Sequence, residues 1–302
     1  MSARARLSAL RRWVLAAPAL WLFVFFLAPF ALVLKIALSK PALSQPPYEP
    51  VFSLVDGFAG IWDKLGALSL DTFSLVIGDD LYLSAYLSSL RLACQATLLT
   101  LLIAFPLAYA MARAPKHWRS ALVMLAIAPF WTSFLIRIYA WIMLLKEEGL
   151  INKLLLSLGI IGAPLQIFAT EGAVLIGIVY SYLPFMILPL YNALERQDPS
   201  LLEAASDLGA TPFTSFWTIT VPLARPGIFA GLLLVFIPAV GEFVIPDLLG
   251  GSDTLMIGRS LWNEFFDNRD WPTASAVAIL LLVLLILPLL IYERQQMKEV
   301  AR

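Results

Sequence analysis

Apolar residues fall along this chain in runs too long for the helices of a soluble core, separated by stretches where proline, glycine and charge collect. The first run extends from Trp13 to about Leu38. Others extend from about Ser84 to Ala112, Ser120 to Leu145, Gly172 to Leu194, Gly227 to Leu248 and Thr273 to Tyr292. A helix crosses the bilayer core with about 20 apolar residues, so the pattern predicts an all-α membrane protein with six transmembrane helices. Pro106, Pro129, Pro184, Pro189, Pro238 and Pro288 fall inside the runs, and kinks are expected there. The first run exceeds the apolar core of a secretory signal, roughly 7–15 residues, and no small-residue cleavage site precedes Lys40, so it is expected to stay as a span.

The polar stretches differ in kind. Residues 39–83 open with Pro46, Pro47 and Pro50, which break helix, and continue with mixed apolar and acidic residues suited to short helices on a membrane surface. Residues 146–171 carry one short amphipathic piece, Leu150–Leu158, expected to end at the Gly162–Pro164 turn. Six spans place both termini on one side. Arg4, Arg6, Arg11, Arg12, Arg113, Lys116, Arg119, Arg196, Arg225, Arg294, Lys298 and Arg302 then share that side, while Asp56, Asp63, Asp71, Asp79, Asp80, Asp253, Asp267 and Asp270 lie opposite. Basic residues mark the cytoplasmic side, so both termini are expected in the cytoplasm.

Composition agrees and narrows the chemistry. Of 302 residues 60% are hydrophobic and 14% charged, against roughly 25% charged in soluble domains. The formal net charge is zero, which gives no footprint for nucleic acid. One cysteine, Cys94, and one histidine, His117, allow neither an internal disulfide nor a metal site at any familiar spacing; no metal is expected. A membrane-embedded enzyme would need clustered catalytic groups, which are not seen. No lysine follows a glycine, so the chain has no phosphate-binding P-loop.

The polar island Asp198–Pro222 departs most from the rest. Asp198 is a good N-cap and Pro199 suits the first helical position, with Ser200 and Glu203 as an alternative capping box. Leu201, Leu202, Ala205 and Leu208 make one apolar face at helical spacing, and Gly209 suits the C′ position. Thr211 and Pro212 start a second helix, which Pro222 and Pro226 are expected to end before the fifth span begins. Such a loop is longer than a plain connection requires.

Glu203-Ala204-Ala205, three residues, Gly209, nine residues, Ile219, one residue and Val221-Pro222 resemble the EAA loop of ABC-importer permeases, with Val221 standing for the family's leucine. The resemblance implies a type I permease fold in a bacterial inner membrane, in which this loop docks on a cytosolic ATPase. Glu203, Ala204, Ala205, Asp207 and Gly209 would make that contact. It further implies a second homologous permease, two ATP-binding cassette subunits and a periplasmic binding protein as partners, in contact with membrane lipid. The chain would bind no cofactor, and ATP and Mg would be bound by the partner subunits. On this reading residues 1–83 are an N-terminal arm, first span and outer connection, 84–292 the permease core, and 293–302 a cytoplasmic tail.

Gly241–Ala278, Ser89–Ala93 and Ala128–Trp141 further resemble the permeases of polyamine (putrescine/spermidine) importers. Other cargoes, such as ferric iron or a sulfate-like anion, belong to sister permeases that share the EAA loop. Arg91, Arg137 and Glu242 are ionisable residues within predicted spans, where each is costly and must face protein or water. Glu242 is the acid of the predicted fifth span and Asp247 ends it. Both are candidates for a polycation path, with Trp131, Tyr139 and Tyr180, and also Trp141 and Tyr182, as aromatic neighbours for ammonium groups. Equally, Glu242 is a candidate to pair with Arg91 or Arg137, for which structural roles are expected.

Overall fold

The computed structural model describes residues 16, 18–53 and 57–300; the basic arm expected at residues 4–12, and Arg302, lie outside them. The long apolar runs are helices. We label them α1 (Pro18–Ala37), α4 (Asp80–Arg113), α8 (Glu171–Glu195), α10 (Pro212–Val240) and α13 (Trp271–Val300). Between them lie a two-stranded antiparallel ladder, β1 (Lys40–Pro41) with β2 (Tyr48–Glu49), then α2 (Gly57–Gly66) and α3 (Asp71–Gly78). Further on are α5 (Lys116–Ile127), α6 (Phe134–Leu145), α7 (Leu150–Ser157), α9 (Ser200–Asp207), α11 (Val244–Leu249) and α12 (Ile257–Trp262).

Four of the helices, α1, α4, α8 and α10, are long and apolar enough to cross a bilayer. The expected third span is not one kinked helix. A 3₁₀ turn, Ala128–Trp131, follows α5, Thr132 and Ser133 are extended, and the two segments diverge by 86°. Pro129 starts the change by withholding a backbone donor, and the carbonyl of Pro129 accepts the Thr132 hydroxyl at 2.8 Å. The last helix is apolar over Trp271–Ile286, short of a full crossing in the described part. The described helices therefore give four crossings, or five if the bent pair counts as one.

The described residues divide into two compact units. One comprises residues up to Leu83 with Leu261–Leu284. Here the Lys35 amine donates to the Pro50 carbonyl and stands 4.1 Å from the Tyr48 ring centroid. Tyr82 donates to Glu264 at 2.9 Å, and Phe265 stacks on Trp271 at 5.0 Å. The β1–β2 ladder was not expected in a proline-rich connection; strands of two residues are too short to show alternation. The short helices α2 and α3 fall where such helices were expected.

The other unit spans Ser84–Ser260, with Leu285 onward. Its core is the crossing of α8 and α10, with α4 alongside: Ala104, Ala108, Met186, Leu190, Leu194, Ala224 and Val235 are buried together. The helices approach closely at Gly227, where a Cβ would lie 2.6 Å from the Pro189 carbonyl oxygen and from the Ala193 Cβ. Helix α7 ends at Gly159 (φ +67°), before the expected Gly162–Pro164 turn, because the bonds Gly159 N–H to Leu156 O and Ile160 N–H to Leu155 O already close it there. Buried Asn152 exchanges two bonds with Leu165, at 2.9 and 2.8 Å, and so ties α7 to the connection that leads to α8.

Candidate functional site

The island at 198–222 begins as expected and ends differently. The Asp198 carboxylate accepts the Ser200 N–H at 3.0 Å. Bonds from the Ser200 backbone, then its side chain, hold the Asp198 carboxyl below the usual carboxylate range. Helix α9 closes with a full Schellman motif: Gly209 N–H to Ser206 O and Ala210 N–H to Ala205 O, both 2.9 Å, with Gly209 at φ +82°. Thr211 then caps the next helix by accepting the Thr214 N–H at 3.2 Å.

The apolar face expected on α9 is split. Ala205 is buried and Leu202 half-buried, turned toward the start of α10, whereas Leu201 is exposed and Leu208 is 89% exposed. Glu203, Ala204 and Asp207 are exposed as well. Beneath α9 a cavity of about 210 Å³ lies against Tyr109 of α4, Pro212 and Phe216. Helix α9 thus offers an uncovered surface of small, acidic and apolar groups.

The second helix does not stop at Pro222 and Pro226. It continues as α10 for 29 residues to Val240, about 43 Å at 1.5 Å per residue. Proline normally breaks a helix by its missing donor and its clash with the preceding turn. Here a π turn, Phe216–Thr220, precedes Pro222 and resets the bonding: Val221 N–H reaches Phe216 O, and the Thr218 hydroxyl takes the Thr214 carbonyl at 2.7 Å. The Gln197 side chain donates to the Thr220 carbonyl at 2.9 Å, joining the end of α8 to this turn. Phe216 packs edge-on against Phe105 and Tyr109 of α4, at 5.5 and 6.0 Å.

Glu242 and Asp247 also lie elsewhere than expected. Neither lies within the fifth helix; α10 ends at Val240 with Gly241 as its C-cap, and Glu242 occupies the break before α11. The Glu242 carboxylate accepts the Tyr182 hydroxyl of α8 and, through its other oxygen, the N–H groups of Val244 at 3.1 Å and Ile245 at 3.4 Å. It therefore caps α11 and ties it to α8. The irregular backbone is packed from another side by Gly258 of α12, which lies against the carbonyls of Gly241 and Glu242; such backbone at membrane depth must be enclosed or line a wet cavity.

The expected pairing of Glu242 with Arg91 or Arg137 does not occur. Arg91 pairs with Glu171, the first residue of α8, and both are about half exposed. Arg137 is 8% exposed, and its Nε and Nη1 have no hydrogen-bond partner. Its guanidinium lies over Phe130 at 5.1 Å and Phe134 at 5.7 Å instead. Asp247 pairs with Arg259 at 3.2 Å. Tyr180 packs edge-on against Trp141 at 5.4 Å, while Trp131 and Tyr139 are 75% and 53% exposed. No hydrogen bond, ion pair or ring contact joins one of the five expected path residues to another. Glu242 with Tyr182 forms one buried polar centre, and the partners Arg259 and Glu171 carry no local sequence signal that would single them out.

A family model described as "Binding-protein-dependent transport system inner membrane component" matches residues 7–296. The chain is 40% identical over 274 residues to a spermidine/putrescine transport system permease protein, PotB, of Haemophilus influenzae, covering 91% of this chain and 90% of that one. It is 45% identical over 226 residues to the protein of the same name in Escherichia coli K12, covering 75% and 82%. Among solved structures it resembles a chain of a bacterial alginate ABC transporter in complex with an alginate pentasaccharide-bound periplasmic protein. The TM-score is 0.67 at 17% identity, with 93% of each chain covered. At that identity the likeness is one of fold.

Proposed function

The chain belongs to the family of binding-protein-dependent transport system inner membrane components, and on that premise we propose that it is the permease subunit of an ATP-driven importer for polyamines of the spermidine/putrescine type. The observation that carries the cargo class is the 40% identity to a spermidine/putrescine permease over nine-tenths of both chains. The uncovered face of α9 supports the mode of action. Glu203, Ala204, Asp207 and Leu208 form the docking surface for a cytosolic ATPase, with Ala205 and Gly209 setting the helix beneath it. ATP and Mg belong to that partner, and this chain transmits movement. Helix α10 is the lever: it starts beside α9 and ends at Val240, two residues before Glu242. A second permease completes the path, a periplasmic binding protein delivers cargo, and six crossings with cytoplasmic termini are the arrangement we favour.

Expressing this chain with its partner permease, ATPase and binding protein in cells lacking polyamine uptake tests the reading. Saturable, ATP-dependent uptake of labelled putrescine or spermidine is expected. Uptake of iron or an oxyanion instead would overturn the cargo, and failure of the chain to co-purify with any ATPase would overturn the class.

A further inference from the structure

Two lysines from different helices set their ammonium groups on neighbouring carbonyls of one short segment. The Lys35 amine, near the end of α1, donates to the Pro50 carbonyl. The Lys64 amine, near the end of α2, donates to the Val51 carbonyl at 2.7 Å. Rings flank the first of them: Lys35 Nζ stands 4.1 Å from the Tyr48 centroid and 4.8 Å from that of Phe52. The segment Tyr48–Phe52 thus offers two adjacent carbonyls and two aromatic faces, and it already holds two alkylammonium groups. All of these residues belong to one compact unit.

The place is both built and reachable. The β1–β2 ladder pairs Tyr48 with Pro41, and Trp271, stacked on Phe265, meets the Tyr48 ring at 6.1 Å. Lys35, Tyr48 and Pro50 are half-buried, whereas Val51 and Phe52 are exposed. Glu49, in the middle of the segment, is exposed too, and no ion pair holds its carboxylate among the described residues. Carbonyl oxygens and ring faces are what a protein uses to replace the water around an ammonium group. A lysine side chain ends in the same group as an aliphatic diamine, a primary ammonium on an unbranched alkyl chain, so the segment shows by its own occupants which ligand class it accepts.

Resting on the polyamine reading above for its ligand and for its place on the outer face, we propose that Tyr48–Phe52 is an amine-binding strip, a receiving site for the ammonium groups of a diamine or polyamine, which Lys35 and Lys64 fill while no cargo is present. The lysines satisfy the carbonyls and rings in the resting protein. An arriving diamine takes both places at once, and Glu49 balances its charge. The freed lysines regain water at a half-open surface. Tethering gives each lysine a high effective concentration, so the strip yields to ligand released close by, as from a docked binding protein, and not to dilute amine in bulk solution.

The test measures binding of labelled putrescine, and of n-butylamine as a one-ended probe, to the complete importer in detergent without ATP or binding protein. Lys35→Met is expected to tighten putrescine binding on the order of tenfold by removing a tethered competitor, and putrescine is expected to bind more tightly than n-butylamine. Adding Phe52→Ala to Lys35→Met should weaken binding again by about fivefold, the worth of one ring face. The gain should persist in Glu242→Gln, which separates the strip from the buried carboxylate. Putrescine binding unchanged by Lys35→Met, a gain that Phe52→Ala leaves intact, or a gain lost in Glu242→Gln would overturn the proposal and leave the lysines as staples of the fold. If Lys35→Met does not assemble, Lys64→Met, which opens an exposed bond, carries the same comparison. An importer that takes up neither putrescine nor spermidine, while Lys35→Met still gains affinity for putrescine, would overturn the cargo assignment and leave the strip standing; uptake of both without that gain would overturn the strip alone.

Discussion

Gly209 concentrates the local demands of the loop that carries α9. Its φ of +82° is open to glycine, tolerable for asparagine and strained for a β-branched residue, while a Cβ there meets nothing within 4 Å. The penalty is therefore conformational, not steric crowding. Uptake is expected to fall in the order glycine, asparagine, alanine, valine, and Gly209→Val should lose ATPase association in a pull-down. Normal uptake and association in Gly209→Val would remove the coupling assignment. Asp198 acts at the other end of the same helix. Its carboxyl is held below its ordinary range in the folded state, so its contribution to the cap is present at neutral pH and is lost as pH falls through that lowered value. At Glu242, Tyr182→Phe removes one bond to a carboxylate, a loss of about 1.5–3 kcal/mol by general experience. Uptake should drop with assembly preserved in Tyr182→Phe and Glu242→Gln; loss of assembly in both would mark Glu242 as a purely structural cap.

Among the elements, the α8–α10 crossing is the least forgiving. Gly227→Ala would set a methyl against the backbone carbonyl of Pro189, which cannot move without the helix. A cost of about 1–3 kcal/mol is expected from such overpacking. At Gly231 the nearest atom is the sulfur of Met186, the end of a flexible side chain, so Gly231→Ala should cost less. Melting curves of the assembled importer check the order; equal shifts would show that the crossing is looser than its geometry implies.

For the molecule as a whole, the continuity of α10 sets the α9 loop and the buried Glu242 at two ends of one rod. Leu223, Phe229 and Leu234 are exposed along it. Changing all three to glycine should soften the rod, at about 0.8–1 kcal/mol per site, without opening the α8 contact. ATP hydrolysis should persist while putrescine uptake falls several-fold. Uptake unchanged relative to hydrolysis would mean that movement reaches Glu242 by another route, of which the Phe216 contacts with α4 are the nearest available.

The elements legible from residue order are those whose causes lie within a few residues. The apolar character of the long helices, the Asp198 and Thr211 caps and the glycine at positive φ follow from local chemistry and are found in the fold, whereas the bounds of the third and fifth apolar runs are not. What could not be read locally depends on partners far along the chain. Pro222 and Pro226 look like helix ends until the π turn before them and the Gln197 side chain 23 residues from Thr220 supply other bonds. Glu242 looks like a span residue seeking an arginine until Tyr182, 60 residues earlier, and the first N–H groups of α11 reach it. Composition sets that a charge must be compensated inside a membrane; the packing of α6, α8 and α11 selects which groups do so, because only packing brings distant parts of the chain to the same depth.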